Sequence, residues 1–542
     1  MTDVRMVGAG ALLVDGLDAG QVTAFARRLR SLSGGDWTAR EVVPGATTVL
    51  VDGIDGFEPG ALAAEIAGWD LAPVPADDGP VVTVPVVFDG PDLEDVARLW
   101  DVSSDEVVAR LLATEQRVAF SGFAPGFAYL AGLPAAWRVP RRESPRTRVP
   151  AGALGLAGTY AGIYPRASPG GWQLVGRAVD AVLWDERRDP PALLAPGTRV
   201  RFVEASGARD RAELADEPDD GGENRAETAS GLSSSPVSSG RAGGGSAIEV
   251  VRAGALTTVQ DQGRGGHAHL GVPRSGAADA PAAARANALV GNDPDIAVLE
   301  STLDGCALRV GGSAVVAVTG ARAPVWVGDV PAPHGAPIRL AAGQLLEVGA
   351  AADGLRTYVA IRGGIAVEPV LGSRSTDVLS GLGPEPLRDG ASVPTGPAPP
   401  LDDDAFAALR SIAVSGSDAD RASATAVELD FTWGPREEWF AAEARRTLTG
   451  SAYTVTGDSN RVGVRLAGEP LARAREDELP SEGMVLGAIQ VPPSGMPVIF
   501  LADHPTTGGY PAIGVLTQES VARAAQLRPG EAVTFAPRPG RL

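Results

Sequence analysis

Apolar residues at helical spacing are few along this chain, and short apolar runs broken by Gly and Pro are many. In the first part the pattern is mixed. Asp18 and Gln21 stand at capping-box spacing, followed by Val22, Phe25, Ala26, Leu29 and Leu32 on one helical face, which predicts a helix. The run VVTVPVVF from Val81 to Phe88 predicts a strand. A second helix is predicted over 103–114, where Ser103 and Glu106 form a capping box and Val102 and Val107 a hydrophobic staple. After Val118 only short apolar runs remain, the texture of a β-barrel or sandwich. The pattern therefore predicts a small α/β domain over 1–85 and a β domain, barrel or sandwich, over 86–208.

The C-terminal part reads as strand and turn, with candidate strands at 313–319, 344–349, 355–361, 484–491 and 497–502. One helix is predicted from Ala278 to Leu289, closed by Gly291. The Pro-rich stretch 389–404 predicts a hinge dividing a body over 247–542 into two β lobes, which the resemblance given below makes β-barrels. Between the two bodies, 209–246 is rich in Ser, Gly and acids and lacks aromatics, which predicts a disordered linker. One echo crosses that linker. Val149-Pro-Ala-Gly152 precedes Gly170-Gly171-Trp172 much as Val491-Pro-Pro-Ser-Gly495 precedes Gly508-Gly509-Tyr510, so duplication of one β unit is an open reading.

Composition narrows the chemistry. All 47 basic residues among the 542 are arginine, against 67 acids and a net charge of -20. Without lysine the chain cannot form a Schiff base, complete a Walker-type phosphate loop, or carry covalently attached biotin. The acidic balance argues against nucleic acid as a partner. One cysteine, Cys306, cannot form an internal disulfide, and no leader-like start or long uncharged apolar run appears. A cytoplasmic protein without a membrane span is expected.

Four segments could carry chemistry. Arg138, Arg141, Arg142, Arg146 and Arg148 crowd one stretch beside the single acid Glu143, with Gly170, Gly171 and Trp172 downstream. Arginine forks bind carboxylate or phosphate, although a solvated arginine-rich edge is an equal alternative. Gln260, Asp261, Arg264, Ser275 and Asp279 are polar residues on Gly-spaced loops, where Asp279 could be only an N-cap and Asp261 only a turn former. Arg374, Ser375 and Thr376 sit in one tight turn suited to an anion. The last cluster holds Arg461, Glu482, Gln490, Asp503, His504, Thr506, Thr507 and Tyr510, with Asp503 and His504 as an acid/base pair. His267 and His269 lack nearby N or S ligands, so no metal site is expected.

These motifs carry a resemblance. FAPGFAYLAGLP and VPRRESPRTRVPAGALGLAGTYAGIYPRASPGGWQLVGR resemble the B component of 5-oxoprolinase, also known as allophanate hydrolase subunit 1. TTVQDQGRGG, GVPRSGAAD, LGSRSTD and SEGMVLGAIQVPPSGMPVIFLADHPTTGGYPAIG resemble its C component, or allophanate hydrolase subunit 2. The resemblance implies cyclophilin-like β-barrels in both halves, with a small α/β domain at the N-terminus, a mainly β fold with an α+β portion. It implies a fused component of ATP-dependent 5-oxoprolinase that opens a lactam to glutamate, using ATP with Mg2+ and a separate 5-oxoprolinase A component. On that reading Arg141, Arg146 and Arg374 hold carboxylate or phosphate, while Asp503, His504, Thr506 and Thr507, with Asp261, form the catalytic set. A carboxyltransferase component serving biotin on a separate carrier, and a regulatory kinase-inhibitor protein, are the alternatives. A homo-oligomer is compatible with each.

Overall fold

A computed structural model describes residues 3–33, 38–56, 58–69, 79–142, 144–205, 246–399, 401–415 and 426–539. The expected linker over 209–246 lies, but for its last residue, outside the described residues.

The N-terminal body opens with a four-stranded antiparallel sheet, in the order Asp3–Val7, Ala11–Asp15, Val49–Asp52, Glu41–Pro44. Side chains alternate between its faces. Leu12, Val14, Val49 and Val51 point to the helices Ala19–Leu32 and Pro59–Ala67. Val7, Ala11, Leu13, Val43 and Leu50 point the other way, onto Met484, Val485, Phe500 and Val515 of the C-terminal body. Both faces are covered, which is why ALLVD reads as an unbroken apolar run. The first helix has the expected capping box at Asp18 and Gln21 and buries Val22, Phe25, Ala26 and Leu29. Leu32 is instead exposed at its last turn.

A closed seven-stranded barrel follows, with neighbours Val81–Val87, Gln173–Ala178, Ala153–Ala157, Tyr160–Ile163, Ala128–Ala131, Gln116–Ser121 and Arg199–Glu204. Its first strand starts at Val81, so a boundary at 85 falls inside a barrel strand. The helix Ser104–Ala113 has Ser103 as N-cap, accepting from the Glu106 N–H, but the Glu106 side chain bonds Arg110 rather than closing the box.

The C-terminal body begins as two packed sheets rather than a first barrel. Six strands from Ala247–Arg252 to Ser392–Pro394 face five strands from Leu256–Gln260 to Asp353–Ile361, and Ile248, Leu308, Val316 and Val359 fill the space between them. Helix Ala280–Val290, capped by Asp279 and ended by left-handed Gly291, covers the outer face of the five-stranded sheet. The expected hinge over 389–404 contains the edge strand Ser392–Pro394, where a proline is tolerated, and the start of helix Asp403–Ser415. Helices Ala442–Gly450 and Gln518–Ala525 are further additions to the strand-and-turn reading.

The second closed barrel has neighbours Val427–Trp433, Ala512–Leu516, Ala488–Gln490, Val498–Phe500, Gly463–Ala467, Tyr453–Val455 and Ala532–Pro537. Strand for strand this repeats the first barrel, including the parallel pairing of first and last strands. Each barrel also carries a two-stranded ribbon, Arg146–Val149 with Ser168–Gly170 and Glu482–Gly483 with Thr507–Gly508. Duplication therefore holds at the level of topology. Of the sequence echo, the double glycine and aromatic occupy matching places, whereas Val491–Gly495 follows strand Ala488–Gln490 and Val149–Gly152 precedes strand Ala153–Ala157.

A further correspondence is electrostatic. A Cβ on Gly90 would collide with the Leu174 carbonyl oxygen, and one on Gly434 would collide with that of Ala512. Two residues on from these glycines stand Asp92 and Arg436. Asp92 pairs with Arg146 of the first ribbon at 2.8 Å, and Arg436 pairs with Glu482 of the second at 2.6 Å. The same position is thus bridged with the charges exchanged. Removing one partner of such a buried pair strands the other charge. Arg436→Met is expected to lower stability in urea denaturation by about 3–5 kcal/mol. Arg436→Met with Glu482→Leu should recover most of that loss; equal destabilisation by both variants would refute the pairing.

Candidate functional site

Where the second barrel meets the paired sheets, Arg461 is 1% exposed. Its Nε and Nη2 each donate to Asp503 at 2.9 Å, Nη2 also reaches the Gly276 carbonyl at 2.7 Å, and Nη1 donates to Glu300. The Asp503 carboxylate also receives the Ser275 hydroxyl at 2.7 Å and the Val378 N–H at 3.1 Å. Burial raises the pKa of Glu300, but the Arg461 and Arg356 charges outweigh it and leave the carboxyl below its usual range. Asp503 therefore has both oxygens engaged and acts as a clamp, not as a free acid or base.

Asp261 is engaged just as fully. It accepts from Gly263 N–H, from the hydroxyls of Ser373 and Ser375 at 2.6 Å each, and from Arg374 N–H at 2.6 Å. It organises the turn that the sequence offered as an anion site, and the Arg374 guanidinium turns back to the Val367 carbonyl at 2.8 Å. Gln260 donates to the Thr376 carbonyl, and Arg264 donates to that of Ser375. Asp279 is the helix N-cap, holding Ala282 N–H and the Gln526 side chain. Gln490 donates to the Tyr510 carbonyl, and Glu482 is committed to Arg436.

The arginine-rich stretch lies on the first barrel's ribbon. Arg146 and Arg142 both donate to Asp92, at 2.8 and 3.0 Å. Arg141 pairs across the two bodies with Glu478 at 3.0 Å. Arg142 Nε and Arg146 Nη1 are buried without a partner. Around them stand Tyr164, whose hydroxyl burial pushes up to about 12, and Gly170, where any side chain would strike that hydroxyl. The Gly171 carbonyl accepts from Arg142 N–H, and Trp172 packs edge-on against Phe127 and Tyr129. Thr507 comes so close to Gly122 that any side chain there would strike the threonine hydroxyl.

The neighbouring Thr506 belongs to a different space. With His504, Met484 and Leu486 it lines a hollow completed by Arg274 and by Glu41, Val43 and Asp52 of the N-terminal sheet. Glu41 reaches across the bodies to accept from Gly266 N–H at 2.7 Å and Ala268 N–H at 3.0 Å. Burial nevertheless raises its carboxyl to about 7, with the Asp52 charge adding to the rise. His504 stacks on Phe500 and bonds the Pro505 carbonyl through Nδ1, and burial lowers its pKa by disfavouring the charged ring. The Thr506 hydroxyl is buried and unpartnered. Of the sequence candidates, only His504 and Thr506 line this hollow. Glu41 and Asp52 carry no sequence signal, whereas Arg274 stands within the GVPRSGAAD motif.

Barrels of one topology, each joined to a second sheet domain, define a carboxyltransferase-domain protein. Residues 2–194 match the carboxyltransferase domain, subdomains C and D, and residues 270–537 match subdomains A and B. The chain is 34% identical over 299 residues to the C component of 5-oxoprolinase from Escherichia coli, covering 53% of this chain and 90% of that protein. It is 39% identical over 168 residues to the B component of 5-oxoprolinase from Escherichia coli O157:H7, covering 30% of this chain and 77% of that one. Urea amidolyase of Lachancea kluyveri is 32% identical over 330 residues, 54% of this chain but 17% of that protein. The crystal structure of TTHA0988 superposes with a TM-score of 0.79 at 31% identity, covering 99% of this chain and all of that one. The chain belongs to the family of the 5-oxoprolinase B and C components, with both parts in one polypeptide.

The raised Glu41 carboxyl fixes a pH dependence. A carboxyl whose folded pKa lies above its unfolded value gives stability that is complete below the unfolded pKa and lost as pH rises through the folded one. Between pH 4.5 and about 7 the fold should therefore lose on the order of 3 kcal/mol through Glu41. Thermal unfolding across that range should show Glu41→Gln with a flatter profile; parallel profiles would contradict the burial argument.

Proposed function

We propose that the chain is the B and C component of an ATP-dependent 5-oxoprolinase, working with a separate A component, and that the hollow receives the lactam. The observation that carries this reading is the composition of the hollow, with Glu41 and Asp52 from the B-like part and Arg274, His504 and Thr506 from the C-like part. Opening an amide ring develops negative charge on its oxygen, which a fixed hydroxyl donor stabilises. Thr506, with no other partner, is that donor. Glu41, near neutrality at physiological pH, can carry a proton to the leaving nitrogen. Asp503 and Asp261, with their oxygens already engaged, hold the loops that present these groups.

The buried, unpartnered N–H groups of Arg142 and Arg146 fit phosphate oxygens, so these residues, with Arg141, would hold the triphosphate of ATP. When bound, ATP supplies the phosphoryl group that activates the lactam oxygen. Among the described residues no three His, Cys, Asp or Glu side chains are grouped to hold a metal, so Mg2+ would arrive on the nucleotide. The likeness to urea amidolyase supports a second reading, a carboxyltransferase component taking its carboxyl group from biotin on another protein.

Purified chain mixed with a competent A component, ATP and 5-oxoproline should yield glutamate and ADP. Thr506→Val should lower kcat by roughly 10²-fold or more with the fold intact. No glutamate from an A component of proven competence refutes the reading, and urea-dependent consumption of carboxybiotin would establish the second one.

A further inference from the structure

Arg274 is half-buried at the hollow and differs from the four fully buried arginines among the described residues. Arg264, Arg356, Arg436 and Arg461 each donate to a carboxylate or a backbone carbonyl. The half-buried Arg274 lines the hollow, and its guanidinium has no hydrogen bond or ion pair among the described residues. Burial opposes that charge, and Arg40 opposes it further; Asp52 and Glu41 relieve it only at a distance. A guanidinium does not lose its proton in a protein. A partly desolvated cation without a partner carries a cost that falls when an anion completes it.

The backbone around Arg274 is built to aim it. Ser275 adopts a left-handed φ of 56°, a conformation that costs a non-glycine residue of order 1–3 kcal/mol. Three bonds hold it there. The Ser275 hydroxyl meets Asp503 at 2.7 Å, its N–H meets the Ala502 carbonyl at 3.1 Å, and the Arg274 carbonyl receives Arg264 N–H at 2.8 Å. The Arg461–Asp503 clamp thus fixes the turn from which Arg274 projects.

We infer that Arg274 is the carboxylate receptor of the hollow and sets its specificity for a small amide bearing a carboxylate. The inference rests on the lactam reading above and adds the residue that selects among amides. A carboxylate on the guanidinium fork places the remainder of a small ligand against Thr506, His504 and Glu41, where the free hydroxyl meets an amide oxygen. A neutral amide such as urea has nothing to offer Arg274. Asp52 and Glu41 guard against a second negative charge in the same space, so the ligand carries one carboxylate and no more.

Calorimetry on the full chain, without the A component, tests this with three probes. 5-Oxoproline is expected to bind at least tenfold more tightly than 2-pyrrolidinone, the same ring without its carboxylate, and urea should show no saturable binding. Arg274→Met should remove that tenfold preference, and Arg274→Lys should restore part of it. Equal affinity of the wild-type chain for 5-oxoproline and 2-pyrrolidinone overturns the assignment even if neither variant folds. So does an unchanged preference in a folded Arg274→Met. The underlying reading fails separately: Arg274-dependent carboxylate binding without glutamate formation by a competent assembly would keep the receptor and discard the oxoprolinase.

Discussion

The molecule turns on one buried cation. Arg461 is shut off from water at the meeting point of the second barrel and the paired sheets, and it survives there because Asp503, Glu300 and the Gly276 carbonyl take up its donors. Desolvation of each ion is offset only while all are present. This requirement ties the loop after Val498–Phe500, which carries Asp503, to the loop carrying Gly276 and to the strand carrying Glu300. Glu300 in turn receives Tyr358 and Ala278 N–H, and the Tyr358 hydroxyl also takes Asp279 N–H, so the start of helix Ala280–Val290 is set by the same centre. The site residues beside it inherit their positions from that constraint.

The two barrels answer a second constraint in opposite ways. Each must anchor its ribbon to the segment leaving its first strand, and each does so with a buried ion pair. Asp92 and Arg146 do it in one barrel; Arg436 and Glu482 do it in the other. What the fold demands at this place is neutralisation, not a particular sign. The side effect is functional. At the first ribbon the arginines leave buried N–H groups unpartnered, whereas at the second the arginine is the inner partner and turns its remaining donor to Asp15 of the N-terminal sheet. One ribbon keeps unpartnered donors and the other docks a domain.

Much of the fold is legible in the sequence because its signals are local. The caps at Asp18 and Ser103 act within one helical turn and sit where their spacing predicts, and Asp279 is the N-cap that one of its two readings offered. The site is legible only in part, because its signals are not local. Asp261 and Asp503 stand in motifs that read as chemistry, yet what they do is satisfy backbone N–H groups, hydroxyls and Arg461. A motif marks a place where side chains are constrained and does not say whether substrate or fold constrains them. Glu41 and Asp52 lie in ordinary strand sequence at the other end of the chain and become site residues only when the N-terminal sheet lays its second face on the second barrel. The paired sheets read as a barrel from sequence for a related reason. Strand patterning reports one buried face, and a sandwich and a barrel bury the same alternate residues.

The absence of lysine gives the arginines a diagnostic use. Every fixed positive side-chain charge in this chain is a planar fork with five donors, and a buried fork is satisfied by backbone carbonyls as readily as by acids. Arg264, Arg356 and Arg461 each spend a donor on a carbonyl of a neighbouring segment and serve as cross-braces. Counting arginines therefore overstates the capacity for anions, and the dense stretch at 138–148 is a case in point, since Arg142 and Arg146 are partly consumed by Asp92. The informative quantity is the donor left over once the braces are removed. Among the described residues that subtraction leaves Nε of Arg142 and Nη1 of Arg146 near the first ribbon, Nε of Arg166, Arg356 and Arg473 and Nη1 of Arg264 elsewhere, and the half-buried Arg274 at the hollow. Thr506 and Thr507 are turned apart, Thr506 to the hollow and Thr507 to Gly122 of the first barrel.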